Sequence, residues 1–158
     1  MPSLAVQRSV AKPYCVLPRA DWVKDQNGSV TLISSTAAGT PSLEAVTRGQ
    51  GCIAARFGDI AAVGVYLSPN RTLADLHISL MELNAVVVGF GSLPVVVCGD
   101  FNAKNLAWGS RYTDQRGQMV EDWALETGLV VLNRGSVPTC VDAGVPAHRV
   151  ARRGGQAL

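Results

Sequence analysis

Asp100 and Asn102 stand two residues apart in LPVVVCGDFNAKNLAWGS, residues 93–110, directly after Val95, Val96, Val97 and Cys98. The apolar run is that of a buried strand, and the polar pair comes where the strand ends. A carboxylate placed there orients a water, takes its proton or holds a divalent cation. A carboxamide donates N–H to a phosphate oxygen, and strand alternation through Asn102 would put both side chains on one side. YLSPN, residues 66–70, likewise sets Tyr66 and Asn70 at the close of an apolar run. Together these groups make half of a phosphodiester-cleaving site. A plain turn accounts for GDFN equally well, because Gly, Asp and Asn end strands for backbone reasons alone.

The elements that must carry these residues are legible from periodicity. Residues 21–33 read as a strand pair around Asn27-Gly28, and 37–51, rich in Gly, Thr, Pro and Ser, read as a loop. Residues 51–57 and 60–67 form a second hairpin around Gly58-Asp59. Leu73, Leu76, Leu80, Leu83, Val87 and Phe90 then recur at helical spacing, with Thr72 as N-cap and Gly89 or Gly91 as the stop. His77 lies beside this stripe with no second ligand a turn away, so it reads as an ordinary helix residue. Strand 94–99 follows, then a helix from about 118 to 127 ended by Gly128, then strand 129–133. After Thr139 no periodicity remains, and residues 140–158 read as an unstructured basic tail containing Arg149, Arg152 and Arg153.

The chain has 158 residues, 47% of them hydrophobic and 16% charged. That suits one core-rich mixed α/β domain and favours a folded chain over a disordered one. A net charge of +2 does not announce nucleic acid by itself. Cys15, Cys52, Cys98 and Cys140 include no CxxC pair and read as reduced, which suits an intracellular compartment. The first residues have no signal-peptide core, and no apolar run approaches a membrane span, so no membrane partner is expected.

The order of GDFNA, WGS, D-x-RG (Asp114, Arg116, Gly117), N-x-G-x-x-P-T (133–139) and the tyrosine before Pro-Asn is specific. It resembles the endonuclease domain of non-LTR retrotransposons, within the endonuclease/exonuclease/phosphatase superfamily that includes pancreatic deoxyribonuclease and the apurinic endonucleases. The resemblance covers about residues 11–139. It implies an α+β fold, a two-sheet β-sandwich flanked by helices, here truncated at both ends. It also implies Mg²⁺-dependent phosphodiester hydrolysis, DNA as partner, a reverse transcriptase domain in the parent element, and nuclear residence. By that resemblance Asp100 positions or activates the attacking water and is a possible metal ligand, and Asn102 and Tyr66 contact the scissile phosphate. Asn70 belongs to the DNA-facing loop. Asp114 reads as an N-cap, and Arg116 as its ion partner or a phosphate contact.

Two departures bear on activity. Lys12-Pro13-Tyr14 stands where the family reads Glu-Pro-Tyr, with the glutamate as principal metal ligand. An ammonium and a dication repel in one pocket, and Lys12 is expected to lie against Asp100 instead. The family's closing Ser-Asp-His has no counterpart, since Asp142 and His148 stand six residues apart. The resulting expectation is an endonuclease domain that is inactive or impaired. The alternatives are a non-catalytic remnant with weak nucleic-acid binding and, less favoured by WGS and D-x-RG, a small-phosphoester phosphatase.

Overall fold

In the computed structural model, which describes residues 8–11, 21–132 and 149–153, the chain begins with three short strands. They are β1 (Arg8–Ala11), β2 (Trp22–Lys24) and β3 (Val30–Ile33), joined antiparallel in the order β1-β3-β2. A larger sheet follows. Its strands are β4 (Leu43–Arg48), β5 (Cys52–Phe57), β6 (Ile60–Tyr66), β7 (Val95–Asp100), β8 (Leu129–Val131) and β9 (Arg149–Arg153), in the order β4-β5-β6-β7-β9-β8. Helix α1 (Leu73–Gly89) crosses from β6 to β7, and α2 (Gln115–Glu126) lies between β7 and β8. Among the described residues only β6 and β7 pair in parallel, as a helical crossover between them allows.

Alternation along the central strands builds two cores. Cys52 and Ala54 of β5, Ala61, Val63 and Val65 of β6, and Val95 and Val97 of β7 face the helices. There they meet Leu76, Leu80, Leu83 and Val87 of α1 and Val120, Trp123 and Ala124 of α2. The opposite face presents Ile53, Ala55, Ala62 and Tyr66 to Val30 and Leu32 of β3. The molecule is therefore a two-sheet sandwich with a helical layer on one outer face, the α+β architecture expected. Each fully buried leucine or valine of the α1 stripe contributes about 1.5–3 kcal/mol.

Local signals did what their chemistry requires. Thr72 Oγ1 accepts the Asp75 N–H at 3.1 Å while Asp75 Oδ2 accepts the Thr72 N–H at 3.3 Å, a capping box. Phe57 pairs with Ile60 across Gly58-Asp59, Gly58 alone taking a positive φ of 56°. Among the described residues no helix is long and apolar enough to cross a membrane.

Four expectations are corrected. Residues 37–51 contain β4, an edge strand whose side chains are mostly exposed and whose register is broken by a bulge between Glu44 and Thr47, so it carries no clean apolar alternation. The turn around Asn27-Gly28 is wider than a two-residue hairpin, since β2 ends at Lys24 and only Gly28 takes a positive φ. Helix α2 starts three residues before the expected 118, because Asp114 caps it by accepting the Gly117 N–H at 2.6 Å. Arg149–Arg153, read as part of a coil tail, pair as β9 between β7 and β8; backbone ladders accept a strand without any side-chain pattern. Lys12, Cys15, Asn133, the 133–139 motif, Cys140, Asp142 and His148 lie outside the described residues.

Candidate functional site

Tyr66 ends β6 and Asp100 ends β7, and the parallel register makes them direct partners. Paired residues of adjacent strands point to the same face, so both side chains lie on the inter-sheet side, at the carboxyl ends of two parallel strands. Crevices of that kind hold the ligands of open α/β sheets. Gly99 permits the approach. It adopts φ 148°, and a Cβ there would fall 1.9 Å from the Val65 carbonyl oxygen.

Asn102 is brought to this pair by a turn rather than by strand alternation. Its φ is 46°, a left-handed conformation that asparagine tolerates better than most residues. Its backbone N–H donates to Asp100 Oδ1 at 2.9 Å, and its Nδ2 donates to the Leu67 carbonyl at 3.0 Å. The Leu67 N–H in turn donates to the Asp100 carbonyl at 2.9 Å. Three hydrogen bonds thus lock Asp100 and Asn102 to the strand end that carries Tyr66. Asn70 sits exposed in the following turn, its N–H on Ser68 Oγ at 3.3 Å.

Arg116 frames both loops. Nε donates to the Asn102 carbonyl at 2.9 Å, one terminal nitrogen to the Arg71 carbonyl at 3.0 Å, and the other to the carbonyls of Ser68 and Phe101 at 3.1 and 3.4 Å. A planar fork of N–H groups serves carbonyls from two separate segments, which an ammonium cannot reproduce. Burial pulls this guanidinium below its ordinary pKa and Arg71 adds to the pull, while the carboxylates of Asp114 and Asp100 oppose it. It stays protonated, as arginine does in proteins.

Residues 60–147, more than half of the chain, match the family described as endonuclease-reverse transcriptase. The chain belongs to this family. Among solved structures it is similar to the endonuclease domain of TRAS1, a telomere-specific non-LTR retrotransposon, with a TM-score of 0.57 and 19% identity. The similarity spans 93% of this chain and 78% of that one, and at this identity it speaks for the fold. No curated protein matches the chain in sequence.

Within this endonuclease-reverse transcriptase domain, Tyr66, Asp100 and Asn102 come together, Asn70 borders them, and Arg116 holds their loops. Lys12 and its expected approach to Asp100 fall outside the described residues. Of the WGS and RG motifs, Trp108, Gly109 and Gly117 have structural parts. Trp108 is buried with Nε1 on the Ala103 carbonyl at 3.2 Å, and Gly109 takes φ 80° to close a 3-10 turn over Leu106–Trp108. A Cβ on Gly117 would come 1.7 Å from the Lys104 carbonyl oxygen, so only glycine lets α2 start against that loop.

Sequence reasoning passed over Asn105. It is 2% exposed, donates to the Gly117 carbonyl at 3.2 Å and to Glu121 Oε2 at 2.8 Å, and accepts the Ala107 N–H at 2.8 Å. An asparagine just ahead of a short apolar turn was the available signal. Arg71, whose guanidinium is bonded to Ser79 Oγ, gave none.

The donor set limits what cation this site holds. Asp100 brings one carboxylate with Oδ1 already accepting a hydrogen bond, and its charge is felt by the Arg116 guanidinium. Among the described residues no three His, Cys, Asp or Glu side chains converge. Mg²⁺ is usually held by one or two carboxylates together with waters and substrate phosphate oxygens, so Asp100 is the site carboxylate that would help to hold it.

Proposed function

We propose that this chain is a DNA-facing endonuclease domain of a retrotransposon, of the kind that nicks target DNA for reverse transcription, and that its own residues bind and orient a phosphodiester better than they cleave it. The observation that carries the reading is the register pairing of Tyr66 with Asp100, with Asn102 bonded to both strand ends. The second Nδ2 hydrogen of Asn102 and the Tyr66 hydroxyl donate to non-bridging phosphate oxygens. Asp100 accepts a hydrogen bond from the water that faces the phosphorus, and takes its proton if attack occurs. Asn70 and Arg71, in the turn after β6, flank the strand being read. Mg²⁺, by resemblance, supplies charge neutralisation in the family. In this chain Asp100 is the described carboxylate that would help to hold it, and in sequence Lys12 replaces the family's glutamate. A reverse transcriptase domain in the parent element and action in the nucleus belong to the same reading.

The layout of charge supports it. Arg71, Lys104 and Arg111 lie in the loops after β6 and β7 and Arg116 in the first turn of α2, beside Asp75, Asp100 and Asp114, whereas the remainder of α1 and α2 carries Glu82, Glu121, Asp122 and Glu126. A polyanion is attracted to the first edge and repelled by the second. The test is supercoiled plasmid incubated with Mg²⁺, beside fluorescence anisotropy of labelled duplex DNA. Binding without nicking is expected, and Tyr66→Phe with Asn102→Ala should weaken the binding. Nicking that Asp100→Ala abolishes would show the site to be catalytically complete and overturn the impairment.

A further inference from the structure

Beyond these residues, the loop between β7 and α2 presents a second pair of polar groups. Lys104 Nζ donates to the Tyr112 hydroxyl oxygen at 2.7 Å, sitting at the phenol end of the ring, 4.8 Å from its centroid. Tyr112 is 54% exposed, and Arg111 beside it is exposed as well. The loop that carries them is rigidly based. The Lys104 N–H donates to Asp114 Oδ1 at 3.2 Å, the Asp114 N–H returns to the Lys104 carbonyl at 2.9 Å, and the Leu106 N–H donates to Thr113 Oγ1 at 3.2 Å. Buried Asn105 and Trp108 pin its inner side. Lys104 is two residues from Asn102, so the pair stands next to the candidate phosphate site on the same loop.

We propose that Lys104 and Tyr112 form a clamp for a second backbone phosphate of the DNA strand, beside the one read by Asn102 and Tyr66; this rests on the DNA-binding reading above. The bond between them consumes one of three ammonium hydrogens and one lone pair of the phenol. The remaining ammonium hydrogens and the phenolic O–H are donors fixed side by side, which suits two oxygens of one phosphate. The hydroxyl also lifts the Lys104 ammonium above the ordinary lysine pKa, so the charge persists through physiological pH. An exposed aromatic ring beside the cation packs on the adjoining sugar or an unstacked base.

The experiment is anisotropy with a labelled DNA duplex in a salt series from about 50 to 200 mM, because each phosphate neutralised adds about 0.9 to the slope of log affinity against log salt. Lys104→Gln should weaken binding and flatten the slope by about one unit. Tyr112→Phe should weaken binding with the slope retained, since no charge is removed. Arg56→Gln, near the end of β5 away from the site and with Nε on the Gly58 carbonyl, should leave the slope unchanged. Far-ultraviolet circular dichroism and a urea midpoint equal to the parent's confirm that each variant is folded. A Lys104→Gln slope equal to the parent's, with Tyr66→Phe and Asn102→Ala still weakening binding, overturns the clamp and leaves the main site standing. A flattened slope with no effect of those two site variants upholds the clamp and removes the main site. A parent chain that binds no DNA at the lowest salt overturns both.

Discussion

Asp25 and Asp100 both close a strand with backbone N–H groups on their carboxylates, yet the two surroundings differ in every other respect. Asp25 is 1% exposed, its Oδ1 accepting the N–H groups of Ser29 and Val30 at 2.6 and 3.1 Å and its Oδ2 that of Gly51 at 2.8 Å. Ser29 and Val30 belong to the smaller sheet's hairpin and Gly51 to the turn entering β5, so this one carboxylate ties the two sheets together. Asp100 is half-buried, receives a single local N–H on Oδ1, and is the register partner of Tyr66 at the strand ends. A carboxylate saturated by backbone donors is a structural part. One that keeps an oxygen for solvent at a strand end is available for chemistry.

The strongest way to break this contrast is to remove each acid in turn. Asp25→Ala strands three N–H groups, and at about 1–3 kcal/mol for each buried donor left unsatisfied, at least about 3 kcal/mol of stability should go. Asp100→Asn keeps an acceptor for Asn102 and should change stability by less than about 1 kcal/mol. Urea midpoints at constant slope measure both. Equal losses would mean that the two turns carry the same kind of load.

A smaller effect is expected where the second turn is held from outside. Arg116→Lys leaves one ammonium to serve four carbonyls on two segments, and about 1–3 kcal/mol should be lost. Amide exchange should quicken at residues 67–72 and 101–103 while the Asp25 turn keeps its protection. Exchange rising equally in both places would show that the loops near Asp100 are not separately organised.

The smallest effect falls on Cys52, next to the Gly51 that Asp25 holds. Burial pushes its thiol pKa up, and the negative charges of Glu82 and Asp25 push it further. The raised folded value means that the unfolded thiol ionises first, so its contribution to stability is intact at neutral pH and is lost as pH climbs above about 8.5. Native Cys52 should alkylate more slowly at mildly alkaline pH than the same thiol in urea, followed by peptide mass spectrometry. Glu82→Gln should quicken it slightly. Native and denatured rates that coincide would show that the interior around Asp25 does not disfavour a second negative charge.

What the sequence determined by itself is whatever depends on neighbours a few residues away. The 3- and 4-residue spacing of leucines produced α1, Thr72 and Asp114 set helix starts through bonds to residues three positions on, and Gly58-Asp59 turned a hairpin. The endonuclease resemblance of GDFN, WGS and RG was also legible, although not that Trp108, Gly109 and Gly117 serve packing. Tertiary structure alone decided what depends on register and on long closures. The pairing of Tyr66 with Asp100 spans 34 residues of sequence, and a one-residue slip between β6 and β7 would turn one of them to the helical face. The two-sheet tie at Asp25, the Arg116 bonds across to residues 68 and 71, and the place of β4 and β9 in the sheet follow from the same cause. Backbone donors and acceptors are the same at every residue but proline, so which of them meet is settled only when the sheets and helices pack.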